Sequence, residues 1–597
     1  MKPSASTLGL IVVIVILIVA MMMLPEPSDT ASHSTENPDS IVGLALSNAR
    51  LFDGYSVHDS ATLLIRDGLV ETVQTDGVIP EGYEIIDING QTLLPGLIDA
   101  HVHSYLDARQ DALRFGVTTM LDMFRAPYDM TEVIAQREST LATNQADLFS
   151  AGFLATAAGG HGTQFGIEVP TLSDPAQAEA WVEDRIAEGS DYVKIVLENG
   201  SSWGSVLPTL SDAIVRALVE AAHENGMLAV AHVSTQSDAL LAVEAGVDGL
   251  VHLFADELID PAFIELAVER EVFIIPTATV LAGAHNRSGR PWIQSNATLA
   301  IRLSAAQRQS LGQNFPGSAM REARWSTVPE SIAALHEAGV TLLAGSDAPN
   351  PATAQGVSLL HELKLLTDSG MAPIDALRAA TSKPAEAFEL ADRGCLRVGC
   401  RADVVQVNGN PLNEIDDIRN IVAVWKNGSK VGLEVEDTQL EVADGEALVL
   451  PIDMHAAGQW MAATDQFMGG QSTATLSQLD DGARVQVTGQ LNSGFPFPYA
   501  GVMWNPGDEM MAAVNLSNAQ SLHLRLESGS GTYQIMLFSG ENVNAAPVRI
   551  DIDAGGEQTI DLNDLDGLDR SRLRAIGIFA IGASTAVDFT IENARLQ

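Results

Sequence analysis

Hydrophobic and polar residues in the middle of the chain follow the pattern of paired strands and helices. Within residues 94–390, short apolar runs such as Tyr192–Val196 and Met227–His232 are followed by longer amphipathic stretches such as Leu210–Asn225 and Ser237–Ala245. This alternation is typical of an α/β protein with a parallel sheet covered by helices. Its length of about 300 residues favours a (β/α)8 TIM barrel over an open sheet.

The segments on either side of this region read differently. Residues 41–93 and 391–433 contain short strand-like runs, such as Ser47–Phe52 and Ala402–Val407. Residues 434–446 form an acidic connector. Beyond it, residues 447–597 alternate apolar and polar positions over short runs, a pattern that predicts a separate all-β sandwich.

An apolar run near the N-terminus predicts a membrane-associated segment. Leu8–Leu24 is unbroken by polar residues, and at 1.5 Å per residue it gives roughly 25 Å of helix. Lys2 precedes it and acidic residues follow it, so residues 1–24 are predicted to be a signal anchor or a cleaved signal peptide. Residues 25–40 read as a linker. The chain is therefore expected in the inner membrane facing the periplasm, or secreted if the segment is cleaved.

Composition narrows the choice of partners. Lys+Arg number 33 and Asp+Glu 77, for a formal net charge of −44. A field of that sign repels phosphate backbones and excludes nucleic acid as an expected partner. The two cysteines, Cys395 and Cys400, are too few for a disulfide-built scaffold. They are expected either to bridge a tight turn or to remain two thiols.

Candidate metal ligands follow the predicted barrel strands. His101 and His103 are two residues apart at the end of an apolar run, so both side chains point to one face. His232, His252 and Asp347 each follow an apolar run as well. The ends of barrel strands meet at one face, where barrel enzymes place their active sites.

Lys194 lies within the apolar run Tyr-Val-Lys-Ile-Val. Both flanks are apolar, as in a parallel barrel strand, and burying an unpaired ammonium there is costly. An amine carboxylated by carbon dioxide is instead an anion, with two oxygens that can bridge two metal ions. Lys194 is one of only six lysines in the chain.

The chain resembles the amidohydrolase superfamily over about residues 41–430. Within it, the resemblance is to the imidazolonepropionase-like group, which includes metal-dependent dipeptidases of the Xaa-Pro and Xaa-Arg types. It rests on the segments Pro-Gly-Leu-Ile-Asp-Ala-His101-Val-His103, Gly-Gly-His161-Gly, Val-Lys194-Ile, Ala-His232, Val-His252, Gly-Ser-Asp347 and Arg-Ala-Asp-Val-Val405. It implies that residues 41–93 and 391–433 together form one small β-sandwich beside the barrel.

The resemblance also implies a role for each candidate residue. Two divalent cations, most simply Zn2+, would be held by His101, His103, His232, His252 and Asp347, with carboxylated Lys194 as the bridge. The cations would activate a hydroxide. Asp347 would take its proton and pass it to the leaving nitrogen. His161 would contact the substrate or the developing oxyanion.

Two positions depart from the family pattern. Relatives carry a His-Gly pair shortly after the metal-binding aspartate, whereas this chain has Gln355-Gly356. Leu253 follows His252, where relatives usually have Gly. We expect an altered substrate contact at the first position and an altered pocket rim at the second.

The C-terminal region resembles the complex I intermediate-associated domain, a galactose-binding-like jelly roll, over about residues 450–597. The resemblance rests on Trp460–Thr473 and Tyr499–Trp504. This domain is expected to bind a sugar or a protein partner, or to act as a stabilising module.

The whole sequence predicts an exported, metal-dependent amidohydrolase that cleaves carbon–nitrogen bonds in small molecules or dipeptides. Two alternatives remain open: a hydrolase of cyclic amides or lactones, and a non-catalytic surface protein that binds through its C-terminal sandwich.

Overall fold

The structure, a computed structural model, describes most of the chain from Gly43 to Gln597. Left out within that range are 166–168, 205, 316–323, 435–446, 457–458, 466–471, 480–482, 493–497, 507–510, 512, 529–530, 541–546, 553–554, 564 and 583–585. The expected N-terminal segment 1–24, the linker 25–40 and most of the acidic connector lie outside the described residues. Among the described residues, no helix has both the length and the apolar character needed to cross a bilayer.

Strands from both flanks of the central region form one sheet. Its members are β1 (Gly43–Phe52), β2 (Val57–Arg66), β3 (Leu69–Gln74), β4 (Tyr83–Asp87), β5 (Thr92–Pro95), β13 (Val404–Val407), β14 (Ile421–Lys426) and β15 (Ser429–Lys430). They lie in the order β15-β14-β13-β5-β1-β2-β3, with β4 paired to β1. The joining contact is the antiparallel pairing of β5 with β13, which brings together strands more than 300 residues apart.

The boundary between this sheet and the central region differs from the prediction. Leu94 was expected to open the barrel, but it lies in β5 and pairs with Val405. The first barrel strand starts at Leu97. Leu94 and Leu97 are both fully buried, so the apolar run continues across the boundary. The hydrophobic pattern therefore does not show where the sheet ends and the barrel begins.

The central region is a closed ring of parallel strands. Its labelled strands are β6 (Leu97–Val102), β7 (Val117–Asp122), β8 (Asp147–Ser150), β9 (Val193–Leu197), β10 (Ala229–Val233), β11 (Gly249–Val251) and β12 (Phe273–Ile275). Parallel bridges from Ile274 to Leu342 and from Ala348 to Val102 supply the eighth position, and a bridge from Ala155 to Ile195 joins the segment after β8 to β9. The described residues thus form the predicted TIM barrel.

Helices cover the outside of the ring. They are α1 (Ala108–Leu113), α2 (Met130–Glu138), α3 (Ala178–Glu188), α4 (Asp212–Glu224), α5 (Gln236–Ala245), α6 (Pro261–Glu269), α7 (Ala278–Ala284), α8 (Arg290–Gln294), α9 (Ala297–Ile301), α10 (Ala305–Gly312), α11 (Thr327–Glu337), α12 (Val357–Asp368), α13 (Pro373–Ala379) and α14 (Ser382–Ala387). Strands β6, β7 and β9 are buried at every position because barrel side chains fill one face and helices cover the other.

The C-terminal region is all-β, as predicted. One sheet has the order β18-β19-β26-β21-β24 with β16 paired to β26, and the other has the order β17-β20-β25-β22-β23. The strands are β16 (Ile452–Asp453), β17 (Gln459–Thr464), β18 (Thr473–Leu479), β19 (Arg484–Gln490), β20 (Tyr499–Asn505), β21 (Ser521–Ser528), β22 (Thr532–Ser539), β23 (Val548–Ile552), β24 (Gly556–Asp561), β25 (Leu573–Ile581) and β26 (Ala586–Leu596). Their inward-facing residues form a hydrophobic core of their own, separate from the barrel core.

Cys395 and Cys400 form a disulfide across the turn that leads back to β13. Of the two arrangements left open by the sequence, the structure has the bridge. The predicted strand run Ala402–Val407 corresponds to β13, which begins two residues later, at Val404.

Candidate metal centre

The predicted histidine ligands lie at the carboxyl ends of barrel strands, whereas Lys194 is the second residue of its strand and lies in register with Val230, two residues before His232. His101 lies in β6, Lys194 in β9 and His232 in β10. His103 directly follows β6, and His252 directly follows β11. These strands run in parallel, so their carboxyl ends meet at one face of the barrel.

Asp347 reaches the same face from the eighth barrel position. Its backbone N–H donates to the carbonyl of His101 at 2.8 Å. Gly345 makes this close approach feasible, because a Cβ there would lie 2.9 Å from the backbone nitrogen of His101. Asp347 itself has a φ of 50°, in the left-handed region that non-glycine residues seldom adopt.

The carboxylate of Asp347 faces three histidines. Its Oδ1 lies 3.1 Å from His101 Nε2 and 3.2 Å from His103 Nε2, and its Oδ2 lies 3.8 Å from His252 Nδ1. Ligand atoms of His101, His252 and Asp347 all lie within 4.8 Å of one another, and all three residues are buried. This cluster has the donor types and spacing of a metal site.

Five imidazole rings form a continuous arc around this carboxylate. The ring centroids are 5.4 Å apart from His103 to His101, 4.7 Å from His101 to His252 and 4.6 Å from His252 to His232. The arc ends at His161, whose ring stacks on that of His232 at 4.9 Å. The structure therefore brings the loop histidine His161 to the same site as the strand-end histidines.

Burial controls the charge of these groups. It lowers the pKa of His101 to about 3 and that of His161 to about 3, so both imidazoles favour the neutral form that binds metals. Asp347 is buried too, but its neighbours His101 and His252 hold its pKa well below the usual range. At His103, the contact with Asp347 outweighs burial and raises the pKa.

Lys194 is buried within this group, with 3% of its surface exposed. Burial lowers its pKa to about 7, and the charge of Asp347 only partly offsets that effect. Among the described residues, no carboxylate lies within ion-pair distance of its amine. Burying an amine without a carboxylate partner is costly, and ionisable groups in such surroundings cluster at functional sites.

Buried nitrogens that make no hydrogen bond within the described part of the chain also indicate that this group of residues binds a cation. Both ring nitrogens of His101, and Nε2 of His232, are buried without a hydrogen-bond partner among the described residues. Buried polar atoms in native proteins are normally satisfied. Metal coordination uses the single lone pair of a neutral imidazole, so it accounts for one of the two His101 nitrogens and for Nε2 of His232.

Two carboxylates that support the site were not predicted. Asp99 is 1% exposed and accepts hydrogen bonds from the backbone N–H and the hydroxyl of Ser346, at 2.9 and 2.5 Å. Glu198 is 2% exposed, and its Oε2 lies 3.7 Å from His232 Nε2. Glu198 directly follows β9, so strand-end position is the signal that points to it, whereas Asp99 lies in the middle of β6, two residues before His101 on the same face of the strand.

The two departures from the family pattern have structural outcomes. Gln355 is 6% exposed, and its Nε2 donates to the carbonyl of the ligand His103 at 3.2 Å. Leu253 was expected at the pocket rim, which is wrong, because its side chain is 2% exposed and packs in the main barrel core. His252 has a φ of 71°, so the chain turns sharply at this point.

The profile of the Amidohydrolase family matches residues 92–431. The chain belongs to the amidohydrolase family, as its motifs implied, and it is a metal-dependent hydrolase that acts on carbon–nitrogen bonds. The profile of Complex I intermediate-associated protein 30 matches residues 453–588, which identifies the C-terminal domain. A sugar or protein ligand for that domain stays a prediction, because a fold does not determine its ligand.

The similar proteins are named for different activities. An imidazolonepropionase of Deinococcus radiodurans is 24% identical over 407 residues, covering 62% of this chain and 90% of that protein. A 5-methylthioadenosine/S-adenosylhomocysteine deaminase of Halobacterium salinarum is 26% identical over 445 residues, covering 69% and 95%. The structure of a Xaa-Pro dipeptidase with bound methionine aligns with a TM-score of 0.53 and 22% identity, covering 65% and 99%, a likeness of fold.

Proposed function

We propose that the protein hydrolyses an amide bond of a dipeptide or another small molecule, using two divalent metal ions, most simply Zn2+. The observation that supports this best is the arc of histidines around the carboxylate of Asp347, with Lys194 buried beside it. When bound, the cations would lower the pKa of a water molecule and polarise the scissile carbonyl.

The ligands divide into two groups in this proposal. His101, His103 and Asp347 would hold one cation, and His232 and His252 would hold the other. Lys194, once carboxylated, would supply an anionic ligand to the pair. The proximity of His101 to both His103 and His252, at 5.4 and 4.7 Å between ring centroids, supports adjoining positions.

Carboxylation of Lys194 would convert its amine, which is positively charged when protonated, into an anionic metal ligand. The neutral amine nitrogen attacks the carbon of carbon dioxide, a nitrogen–carbon bond forms, and one proton leaves to solvent. The product carries a negative charge on two oxygens. Its support is the burial of the amine among potential metal ligands, since an ammonium would repel the cations that those ligands bind.

Asp347 is proposed as the group that moves the proton. Its pKa is held well below the usual range, so it is ionised at neutral pH and able to accept the proton of the attacking water. The same carboxyl then protonates the leaving nitrogen, which restores the carboxylate. Its backbone, tied to His101, keeps the side chain directed into the site.

His161 is proposed to contact the substrate. We expect His161→Ala to lower kcat by about 10²- to 10³-fold, the cost of removing one donor to a developing oxyanion, while both cations stay bound. Kinetics at saturating substrate, combined with metal analysis, test this role. His161→Gln, which keeps a donor, should lose less, and an unchanged kcat for His161→Ala would contradict the assignment.

Substrate class is best tested with a matched panel of dipeptides, N-acyl amino acids, cyclic amides and lactones. Similarity to the fold of a Xaa-Pro dipeptidase favours dipeptides. Hydrolysis of linear amides, abolished by a chelator and restored by Zn2+, would support the proposal. Turnover confined to cyclic amides or lactones would favour the alternative of a cyclic amide or lactone hydrolase. A chain that binds no metal and hydrolyses none of these compounds would favour the alternative of a non-catalytic binding protein.

We also propose that the protein is exported. The disulfide between Cys395 and Cys400 supports this, because such bonds persist in oxidising compartments. The apolar run Leu8–Leu24 provides the export or anchoring segment. Protease added to spheroplasts should digest the protein, whereas full protection would contradict export.

A further inference from the structure

The ring of His252 is in hydrogen-bond contact with a threonine hydroxyl. Its Nδ1 lies 2.7 Å from Thr277 Oγ1, and both residues are buried. When the hydroxyl oxygen accepts from Nδ1–H, the lone pair is on Nε2, on the other side of the ring. Metal-binding histidines commonly have their second nitrogen fixed in this way.

Thr277 occupies an unusual position for that task. It has a φ of 48° and directly precedes helix α7, so it is the N-cap residue of that helix. A threonine at an N-cap normally uses its hydroxyl to accept from the first turn of its own helix. Here it makes no such bond. Its hydroxyl is therefore available to His252, and the first-turn N–H groups need another acceptor.

Glu362 supplies that acceptor from helix α12, more than 80 residues away in the chain. Its Oε1 accepts from the backbone N–H of Ala278 at 2.9 Å, and its Oε2 from that of Thr279 at 2.7 Å. Glu362 is 0% exposed, and no Lys, Arg or His among the described residues forms an ion pair with it. A buried carboxyl without a cationic partner is costly, so its presence calls for a role.

We propose that Glu362 is a positioning residue for the metal ligand His252. By capping helix α7 in place of Thr277, it leaves the Thr277 hydroxyl to orient the His252 ring and to select the tautomer with a lone pair on Nε2. This inference rests on the proposed metal centre. In this proposal Glu362 contacts neither metal nor substrate, yet it affects the metal affinity of the position that includes His252.

The test compares Glu362→Gln with the wild-type chain. The amide keeps the volume but has only one acceptor oxygen, and its NH2 group faces a backbone N–H. We expect affinity for one of two Zn2+ ions to fall about 10- to 100-fold, as is usual for loss of an outer partner, with the other ion unaffected. Competition against a chromophoric chelator measures both affinities, and the visible spectrum of the Co2+-loaded chain reports the altered coordination.

Asp465→Asn is the matched control, because Asp465 is also 0% exposed and accepts from the backbone N–H of Ser472, but in the C-terminal domain. It should lose stability without changing either metal affinity. Thr277→Val removes the hydroxyl at nearly constant volume and should reproduce the loss, whereas Thr277→Ser should not. The loss in a Glu362→Gln/Thr277→Val double variant should be less than additive, since both act on one contact.

The outcomes separate this inference from the proposed function. A wild-type chain that binds no metal would overturn the metal centre and this inference together. A wild-type chain with two metals, alongside a folded Glu362→Gln variant of unchanged affinities, would overturn the role of Glu362 alone. If Glu362→Gln does not fold, unchanged affinities in Thr277→Val overturn it equally.

Discussion

Lys194→Ala should lose its metal ions and its activity together. Removing the bridge takes one ligand from each cation, so the loss of affinity should exceed the roughly 10- to 100-fold that follows loss of an outer partner. Lys194→Arg should fail as well, because a guanidinium stays charged and takes no carbon dioxide. Metal content by mass spectrometry, measured beside turnover, tests both variants.

Chemical rescue distinguishes the bridge from a structural role. Short carboxylic acids such as acetate or propionate should partly restore metal binding to Lys194→Ala by occupying the vacated position. Lys383→Ala is a suitable control, since Lys383 is an exposed helix residue paired with Glu386. A Lys194→Ala chain with two bound metals and normal turnover would contradict the assignment.

Asp347→Asn should show the second largest effect. The amide keeps an oxygen donor but has no negative charge and accepts no proton at neutral pH, so kcat should fall about 10²- to 10⁴-fold even with metal in excess. Turnover is measured at saturating substrate and several Zn2+ concentrations, so that weaker metal binding is separated from loss of proton transfer.

Asp260→Asn provides the comparison for that experiment. Asp260 caps helix α6 by accepting from Ala262, a role that Asn fills about as well, so kcat should not change. An Asp347→Asn variant that keeps most of its kcat would show that another group moves the proton.

The strand-end ligands were predictable because barrel topology converts sequence position into spatial position. His101 and His232 each lie near the carboxyl end of a short apolar run, and parallel strands place such residues at one end of the ring. The prediction therefore did not depend on the number of residues between one ligand and the next. Asp347 was predicted in the same way, and motif resemblance then supplied the loop residue His161.

The supporting residues were not predictable in this way. Glu362 lies in helix α12 and Thr277 directly precedes helix α7, and neither residue carries a sequence pattern that points to the site. Strand β25 departs from the alternation that predicts the C-terminal all-β region. Almost all of Leu573–Ile581 is buried, so the strand lacks the alternation by which half-exposed strands were recognised.

Metal analysis of the purified chain, prepared with bicarbonate and without chelator, tests the central claim most directly. The account predicts two equivalents of a divalent metal per chain, both lost from Lys194→Ala and both retained by Lys383→Ala. A wild-type chain that carries no divalent metal, and binds none when Zn2+ is added, would contradict the proposed metal centre.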